Sequence, residues 1–352
     1  MMKRQITCLA CTAVAVASGL GAASPTAGPT THLVQPGESI QKAVDAAKPG
    51  DTVLLTAGTY RESVLVTTSR LTLRGVGPRT VLEPGPAEAG NSCAQAGSGI
   101  CVEGTKDRPV EGTTVGFLTV SGFAKDGLRA TRTDRLTVRR VVAEKNGERG
   151  IAQEQSVRGV FRHNVARNNG DAGLFVANTT EAEEGAADSQ GLVIEHNHLH
   201  DNRIGALVRR LRNFTVEKNV INDNCAAMFV VGDENLPRAG AGTVRGNIVQ
   251  HNNKFCPATA RLPFLQGIGI VLTGSEDIVV TGNQVTENQG TSPMSGGIVL
   301  YKNFMGALSE RNTITGNVVL SNAPEDLVNV ATGEGNTFQG NECSVSRPAG
   351  MC

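Results

Sequence analysis

Five charged side chains near the ends of predicted strands could transfer a proton or bind a cation. Arg209 and Lys302 are the candidate catalytic residues, because removing a proton from carbon requires a strong base. Asp233 and Glu234 are adjacent carboxylates, and carboxylate oxygens are the ligands that Ca²⁺ prefers. The pattern fits Ca²⁺-assisted proton abstraction and leaves Ca²⁺ binding open. The alternative is that these charges, with Arg210, form a solvated rim that keeps the chain soluble.

The same strand ends carry side chains that could contact a bound molecule. The candidate substrate-binding residues are Phe175, Arg209, Arg210, Phe229, Asp233, Glu234, Tyr301 and Lys302. Long insertions flank these strands on both edges, at 178–190, 232–242, 253–266, 289–296 and 302–311. Because long loops on a rigid scaffold often carry function, the insertions predict a walled groove over this face. The outward positions of the groove floor are mostly apolar.

A repeated pattern of asparagines positions these strands. An apolar residue precedes an Asn by three places, and a second Asn follows five places later. The first column is Asn164, Asn197, Asn219, Asn247, Asn283, Asn317 and Asn341; the second is Asn146, Asn169, Asn202, Asn224, Asn252, Asn288 and Asn322. Such regular self-similarity is the signature of a solenoid.

Each repeat contains three short runs in which apolar and polar residues alternate, which predicts strands. We expect coils stacked as parallel sheets about 4.8 Å apart, with an Asn at two of the bends. Asn tolerates a left-handed backbone and can bond the Asn of the next coil, so its side chains should form ladders along the stack. The apolar residues Val216, Val244 and Val280 should then share one interior line.

The ends of the chain indicate how the solenoid is closed and where it is delivered. Residues 1–23 read as a secretory signal peptide, with Lys3 and Arg4 ahead of a short apolar run. A flexible segment is predicted over 24–36, the solenoid over 37–342 and a disulfide cap over 343–352. Ser39 precedes a short amphipathic helix that would cover the first coil. We expect a secreted chain without a membrane span.

Composition narrows the choice of partner. The chain has 33 basic and 33 acidic residues, so it offers no electrostatic case for binding nucleic acid or an anionic membrane. Trp is absent and Tyr occurs twice, which argues against a lectin that stacks sugars on aromatic rings. We expect a monomer and no nucleic-acid partner.

Six cysteines remain beyond the predicted signal peptide. An even number in an exported chain favours disulfides, and the sequence order suggests Cys93–Cys101, Cys225–Cys256 and Cys343–Cys352. The alternative is that some are buried thiols.

The chain resembles the right-handed parallel β-helix superfamily that contains the pectate lyases. The resemblance lies in GESIQKAVDAAKPGDTVLLTAGTYRE (37–62), GNSCAQAGSGICVEG (90–104) and the VxxNxVxxN turns. It implies an all-β, single-stranded right-handed parallel β-helix with an N-terminal capping helix, and the repeats predict about ten or eleven coils. It also implies that substrate lies along the first sheet. The closely spaced Asp cluster of the Ca²⁺-dependent lyases and the paired aspartates with Gly-His-Gly of the polygalacturonases are missing here.

Two functions follow from the resemblance and the predicted groove. One is interaction with an extracellular polysaccharide along the first sheet, extending to cleavage by a lyase. The other is a non-catalytic surface protein that uses the same groove to hold a glycan or a protein partner.

Overall fold

A computed structural model describes residues 28–86, 90–179, 182 and 184–352. The predicted signal peptide, residues 1–23, lies outside the described residues. The helices are α1 (Ile40–Ala46) and α2 (Ser92–Gln95). Neither is long and apolar enough to cross a membrane, and this finding covers only the described part of the chain.

The strands are short and follow one another closely along the chain. From the first half they are β1 (Thr31–Val34), β2 (Thr52–Leu55), β3 (Gly58–Arg61), β4 (Val64–Val66), β5 (Thr72–Arg74), β6 (Thr80–Glu83), β7 (Ile100–Glu103), β8 (Val110–Glu111), β9 (Thr114–Ser121), β10 (Leu128–Thr131), β11 (Thr133–Asp134), β12 (Thr137–Glu144), β13 (Ile151–Glu154), β14 (Val160–Arg162), β15 (Val165–Arg167) and β16 (Ala172–Ala177).

The second half repeats the pattern at similar intervals. Its strands are β17 (Ala187–Glu195), β18 (His198–His200), β19 (Ile204–Arg209), β20 (Leu211–Glu217), β21 (Val220–Asn222), β22 (Ala226–Val231), β23 (Ala239–Gly240), β24 (Thr243–Arg245), β25 (Ile248–Gln250), β26 (Ile268–Thr273), β27 (Ser275–Glu276), β28 (Val279–Thr281), β29 (Gln284–Thr286), β30 (Gly296–Leu300), β31 (Thr313–Thr315), β32 (Val318–Leu320), β33 (Leu327–Asn329), β34 (Thr337–Gln339), β35 (Glu342–Cys343) and β36 (Ser346–Arg347).

These strands form a parallel β-helix, as the sequence predicts. One strand per coil builds the first sheet, which within the described residues has eleven strands in the order β4, β7, β10, β13, β16, β19, β22, β26, β30, β33 and β36. The other two sides of each coil share a second, larger sheet. In a middle coil, β14 forms the second side and β15 the third. Each strand pairs in parallel with its counterpart one coil away.

The interior is aliphatic and continuous from the first coil to the last. Val216 pairs with Val244, and Val244 pairs with Val280. All three are fully buried in one cluster that runs through the solenoid. The predicted interior line is therefore confirmed, and so is the β-helix fold.

The two asparagine columns form ladders inside the bends. The side-chain amide of Asn219 donates to Oδ1 of Asn247 at 2.9 Å, and that of Asn247 donates to Oδ1 of Asn283 at 2.9 Å. The second column does the same through Asn224 and Asn252, at 2.9 Å. Each ladder also saturates backbone groups that the bends bury, which explains the aligned spacing. The asparagine ladders are confirmed.

The first coil is covered by α1. The carboxylate of Glu62 accepts hydrogen bonds from the backbone N–H of Ile40 at 2.6 Å and of Gln41 at 3.2 Å, at the start of this helix. Upstream of the predicted solenoid start, the segment expected to be flexible contains β1, which pairs with β2. Val34 of this strand packs in the core at 2% exposure.

Among the described residues there are three disulfides, Cys93–Cys101, Cys225–Cys256 and Cys343–Cys352. They match the pairings expected from the sequence order. The last one links β35 to the C-terminal residue.

Candidate functional site

The outer face of the first sheet is divided into an apolar part and a polar part. In the apolar part, Phe175, Phe229 and Val299 point away from the solenoid but are only 4%, 3% and 1% exposed. They belong to a second hydrophobic cluster that also contains Leu265 and Met294, which lie in the insertions 253–266 and 289–296. The predicted open apolar groove is therefore filled by the chain's own insertions, because these outward side chains need cover from water.

The insertion 253–266 is held down at its start. Cys256 is bonded to Cys225, which directly precedes β22, and it also pairs with Leu265 through an antiparallel bridge. The insertion thus closes on itself over the first sheet. Phe175 and Phe229 are packing residues beneath the insertions in this structure, which removes them as accessible contacts for a substrate.

Replacing Phe229 by alanine should lower the free energy of unfolding by about 3–5 kcal/mol, because it opens a cavity in a buried cluster. Phe255 lies in the insertion 253–266 and is 62% exposed, so it serves as the matched control. Phe255→Ala should change stability by less than about 0.5 kcal/mol. Urea denaturation measures both. Unchanged stability in Phe229→Ala, with weaker ligand binding, would restore the contact role predicted for Phe229.

Arg210 and Asp233 meet, but as a buried ion pair. The Arg210 Nε contacts the Asp233 carboxylate, and both residues are buried, at 3% and 8% exposure. Arg210 also donates from Nη1 to the carbonyl of Ala182 at 2.7 Å. Asp233 is thereby engaged by a guanidinium, which disfavours its predicted role as a Ca²⁺ ligand, and Glu234 beside it is exposed.

The two predicted bases are not brought together. Arg209 ends β19, whereas Lys302 follows β30, and three strand spacings separate these coils, or about 14 Å. Arg209 is half-buried and Lys302 is exposed. Tyr301 lies in the covered apolar cluster, 9% exposed, with its ring 5.8 Å from that of Phe304. The catalytic role predicted for Arg209 and Lys302 stays an untested prediction.

The polar part of the outer face lies on the earlier strands. Arg129 and Thr131 of β10 and Glu154 of β13 point outward, and Glu103 of β7 holds the position beside Thr131. Arg129 is half-buried, and Glu154 is 7% exposed. These strands present charged side chains on the outer face, beside the apolar Ala152 of β13.

A cluster of charges lies at the edge where these strands begin, and we call it the edge cluster. Its members are Asp126, Glu148, Arg149, Asp171 and Arg203. Parallel stacking places them on neighbouring coils: the N–H of Gly127 donates to the carbonyl of Arg149 at 2.9 Å, and that of Asp171 to the carbonyl of Glu148 at 2.7 Å.

Arg149 is at the centre of the edge cluster. Its Nη1 donates to Glu154 Oε1 at 3.0 Å, and its Nε lies 3.9 Å from Asp126 Oδ1. Its guanidinium carbon is 4.2 Å from the centroid of the Phe175 ring. One guanidinium therefore holds two carboxylates and stacks on an aromatic ring, a geometry that lysine could not reproduce.

Burial perturbs the carboxyl groups around Arg149. Desolvation raises the pKa of Asp126 and of Asp171 above the usual range, and the positive charge of Arg149 opposes the rise in both. Burial also lowers the pKa of Arg203, whose Nη1 donates to the carbonyl of Pro257 at 2.8 Å. Carboxyl groups with raised pKa values beside guanidinium groups are suited to general acid–base chemistry.

The raised pKa of Asp126 predicts a pH-dependent stability difference. The folded protein binds this proton more tightly than the unfolded chain does, so protonated Asp126 contributes to stability at low pH. This contribution is lost as the pH rises from about 4 through the pKa of Asp126 in the folded protein. Asp126→Asn should therefore gain stability relative to wild type across that window, and urea denaturation at several pH values measures the gain.

Asp134 provides a control of opposite sign. Arg158 donates to its Oδ1 at 2.7 Å and lowers its pKa. Asp134→Asn should lose stability at neutral pH, and the loss should disappear in acid as the wild-type carboxylate is protonated. A pH-independent difference in Asp126→Asn would contradict the raised pKa.

No group of three or more His, Cys, Asp or Glu side chains within the described residues is arranged to hold a metal ion.

Charged residues just before the glycine-led strands could have revealed the edge cluster. The segments are KDG (125–127), ERG (148–150), DAG (171–173) and NRIG (202–205). The sequence predictions weighed charges after the strands and overlooked those before them.

Two family descriptions match parts of the chain. Residues 89–237 match the family described as right handed beta helix region, and residues 178–346 match the family described as periplasmic copper-binding protein (NosD). No curated protein matches the chain.

Several solved structures share the fold at low sequence identity. The A-module of the mannuronan C-5 epimerase AlgE6 from Azotobacter vinelandii is 18% identical, with a TM-score of 0.57, and the match covers 87% of this chain and 90% of that one. An alginate lyase from Paenibacillus sp. str. FPU-7 is 14% identical, with a TM-score of 0.55, covering 88% and 99%. DFA-IIIase from Arthrobacter chlorophenolicus A6 is 13% identical, with a TM-score of 0.55, covering 85% and 86%. At these identities the likeness shows the fold.

Proposed function

From the premise that the chain is a right-handed parallel β-helix with the pectate lyase-like fold, we propose that it acts on an acidic polysaccharide. The polymer would bind across the polar part of the first sheet, beside the edge cluster. The observation that carries this proposal is Arg149, which stacks on Phe175 and joins two carboxylates, one of which, Asp126, also lies within reach of the positive charge of Arg129. Two of the similar structures are named for enzymes of mannuronan or alginate, which are acidic polymers.

The proposed chemistry begins with removal of the proton next to a uronate carboxylate. Negative charge then builds on that carboxylate, and fixed guanidinium groups stabilise it in a site shielded from water. Arg129 and Arg149 are positioned for this role. Asp171 is half-buried and has a raised pKa, which suits it to accept the proton.

Elimination of the glycosidic oxygen from C4 completes the reaction. The C5–H electron pair forms the C4–C5 double bond as Asp171 takes the proton, the bond from C4 to the glycosidic oxygen breaks, and that oxygen takes up a proton from water. The products are a new chain end and an unsaturated uronate. Arg129, Arg149 and Asp171 lie on or beside the first sheet. They differ from the candidate bases that the sequence predicts, Arg209 and Lys302.

We also propose that the chain works outside the cytoplasm. Three disulfides favour an oxidising compartment, and residues 1–23 have the pattern of a signal peptide.

The test is to incubate the full chain with polymannuronate, polyguluronate and polygalacturonate across a range of pH. Absorbance of unsaturated ends reports cleavage, and gel mobility in polymer-containing gels reports binding. We expect cleavage of at least one polyuronate and none of neutral dextran. Binding without cleavage would favour the non-catalytic alternative, and the absence of both would overturn the proposal.

A further inference from the structure

A separate surface runs along the corner between the second and third sides of the coils. At this corner one residue per coil has a left-handed backbone. In four later coils it is glycine, at Gly246, Gly282, Gly316 and Gly340. In five earlier coils it is Phe117, Arg140, His163, His196 and Lys218, with φ between 52° and 57°. The corner therefore changes from aromatic and basic side chains to glycine along the solenoid.

The uniform character of the earlier side chains is not explained by the backbone. Left-handed conformations are unfavourable for residues with a Cβ, and the later coils show that glycine fits the same bend. The next corner, before the second asparagine column, also has left-handed residues, but their charges are mixed, from Lys145 and Asp201 to Glu287. Only the first of these two corners carries an unbroken aromatic and basic run.

A row of arginines lies beside this corner. Arg139 pairs with Arg162 on adjacent strands, and Arg74 lies two coils before Arg139 in the same row. The guanidinium carbons of Arg74, Arg139 and Arg140 are 5.3, 5.0 and 5.4 Å from the ring centroid of Phe117. Three cations therefore surround one half-buried aromatic ring.

The arginines of this row differ from the arginines at the corner after the first sheet. Arg135 pairs with Glu111 at 3.1 Å, Arg158 with Asp134 at 2.5 Å and Arg311 with Asp277 at 2.9 Å. Within the described residues, no ion pair involves Arg74, Arg139 or Arg140 around Phe117, or Arg162, which lies two coils beyond the Phe117 coil. Glu195 lies beside Arg162 on the next strand, so the charge of Arg74, Arg139 and Arg140 is the part that is most available to an external anion.

We propose that Phe117, Arg74, Arg139, Arg140 and Arg162, here called the arginine ridge, form a second binding surface for an acidic polysaccharide. Neighbouring coils are about 4.8 Å apart, so Arg139 and Arg162 present successive charges to a linear polymer that runs along the solenoid. The ridge lies on a different side from the edge cluster. The choice of an acidic polysaccharide rests on the proposed function. The ridge would hold one segment of a long polymer while another segment is processed at the first sheet.

Charge complementarity is local in this proposal. The whole chain has a formal net charge of zero, so attraction must come from the ridge itself. A polysaccharide is the favoured polyanion because disulfides indicate an oxidising compartment, where nucleic acid is an unusual partner.

The test uses a triple variant that copies the chain's own later coils. Arg139→Thr, Arg140→Gly and Arg162→Thr reproduce the Thr281-Gly282 and Thr315-Gly316 pattern at aligned positions, so the bend should be preserved. We expect roughly tenfold weaker binding to polymannuronate at low salt, because three charges are lost, and a smaller salt dependence. A control removes three exposed charges elsewhere, with Lys42→Gln, Lys48→Gln and Arg261→Gln, and should bind as wild type does.

The outcomes separate the two proposals. If the triple variant cleaves short oligouronates normally but binds long polymer weakly, the ridge is supported. If it binds long polymer as wild type does, the ridge is overturned while the first-sheet proposal stands. Dextran sulfate tests whether sulfate replaces carboxylate. Duplex DNA bound more tightly than any polysaccharide would overturn the choice of polymer, and no binding of any polyanion by wild type would overturn the ridge.

Discussion

Replacing Asn247 by alanine is expected to lower the free energy of unfolding by about 3–5 kcal/mol, far more than a typical loop substitution. Oδ1 of Asn247 accepts from the backbone N–H and the side-chain amide of Asn219, at 3.0 and 2.9 Å. Its own amide donates to Asn283 and to the carbonyl of Val216, at 2.9 and 3.0 Å. The substitution strands donors and acceptors on both sides of a fully buried position.

The size of this loss follows from the cost of buried polar groups without partners. Each such group costs about 1–3 kcal/mol, and the ladder adds mutual polarisation of its amides. Because coils contact mainly their neighbours, the damage should be largest near the substituted coil. Hydrogen exchange should show lost protection around Asn219 and Asn283 before that of the first coils.

Asn168 is the matched control. It also has a left-handed backbone, with φ of 55°, but its side chain is exposed and outside the ladder. Asn168→Gly should leave stability unchanged or slightly higher, since glycine suits this conformation. Equal unfolding free energies for Asn247→Ala and Asn168→Gly would show that the ladder contributes little to stability.

The fold could be predicted because each coil repeats the same arrangement of buried apolar residues and asparagine bends. Val216 and Asn219 recur at the same offset in successive coils, so one pattern fixes an interior position and a bend at once. The strands of the first sheet gave a further signal. The runs AAMFVV (226–231) and IGIVLT (268–273) are apolar on both alternating faces, which is typical of strands buried on both sides. That pattern already implies a cover over Phe229, in contrast to the groove floor predicted from its outward position.

The candidate site was harder to predict because its contacts join different coils. Arg210 and Asp233 lie one coil apart, as do Asp126 and Arg149, so coil-length spacing of opposite charges is the useful signal. Whether such a pair is buried or accessible depends on where the insertions settle. Sequence spacing does not specify the position of the insertions, because these segments lack internal periodicity and their position depends on tertiary packing.

Arg149→Gln is expected to lower kcat/KM for the polyuronate by about 100- to 1000-fold. This is the range for losing one fixed group that stabilises developing charge. The guanidinium is held by Glu154, Asp126 and the Phe175 ring, so little reorganisation is needed when the substrate carboxylate gains charge. The rate of formation of unsaturated ends measures the effect. Arg149→Lys should recover only part of the activity, because it restores the charge without the planar fork.

The pH profile distinguishes this role from a purely structural one. Arg149 lowers the pKa of Asp126 and of Asp171, against the rise caused by burial. Without it, both carboxyl groups should hold their protons to higher pH. If ionised Asp171 accepts the substrate proton, the acidic limb of kcat/KM must move to higher pH in Arg149→Gln.

Two further measurements complete this experiment. Thermal unfolding must show that Arg149→Gln is folded at the assay temperature, since a buried carboxylate, Glu154, loses one partner. Arg129→Gln alters a half-buried residue that is proposed to stabilise the same developing charge, and it should also lower kcat and kcat/KM. A folded Arg149→Gln with wild-type kcat/KM and an unmoved acidic limb would remove the edge cluster from the reaction. Catalysis would then have to be sought at the later coils, where Arg209 and Lys302 lie.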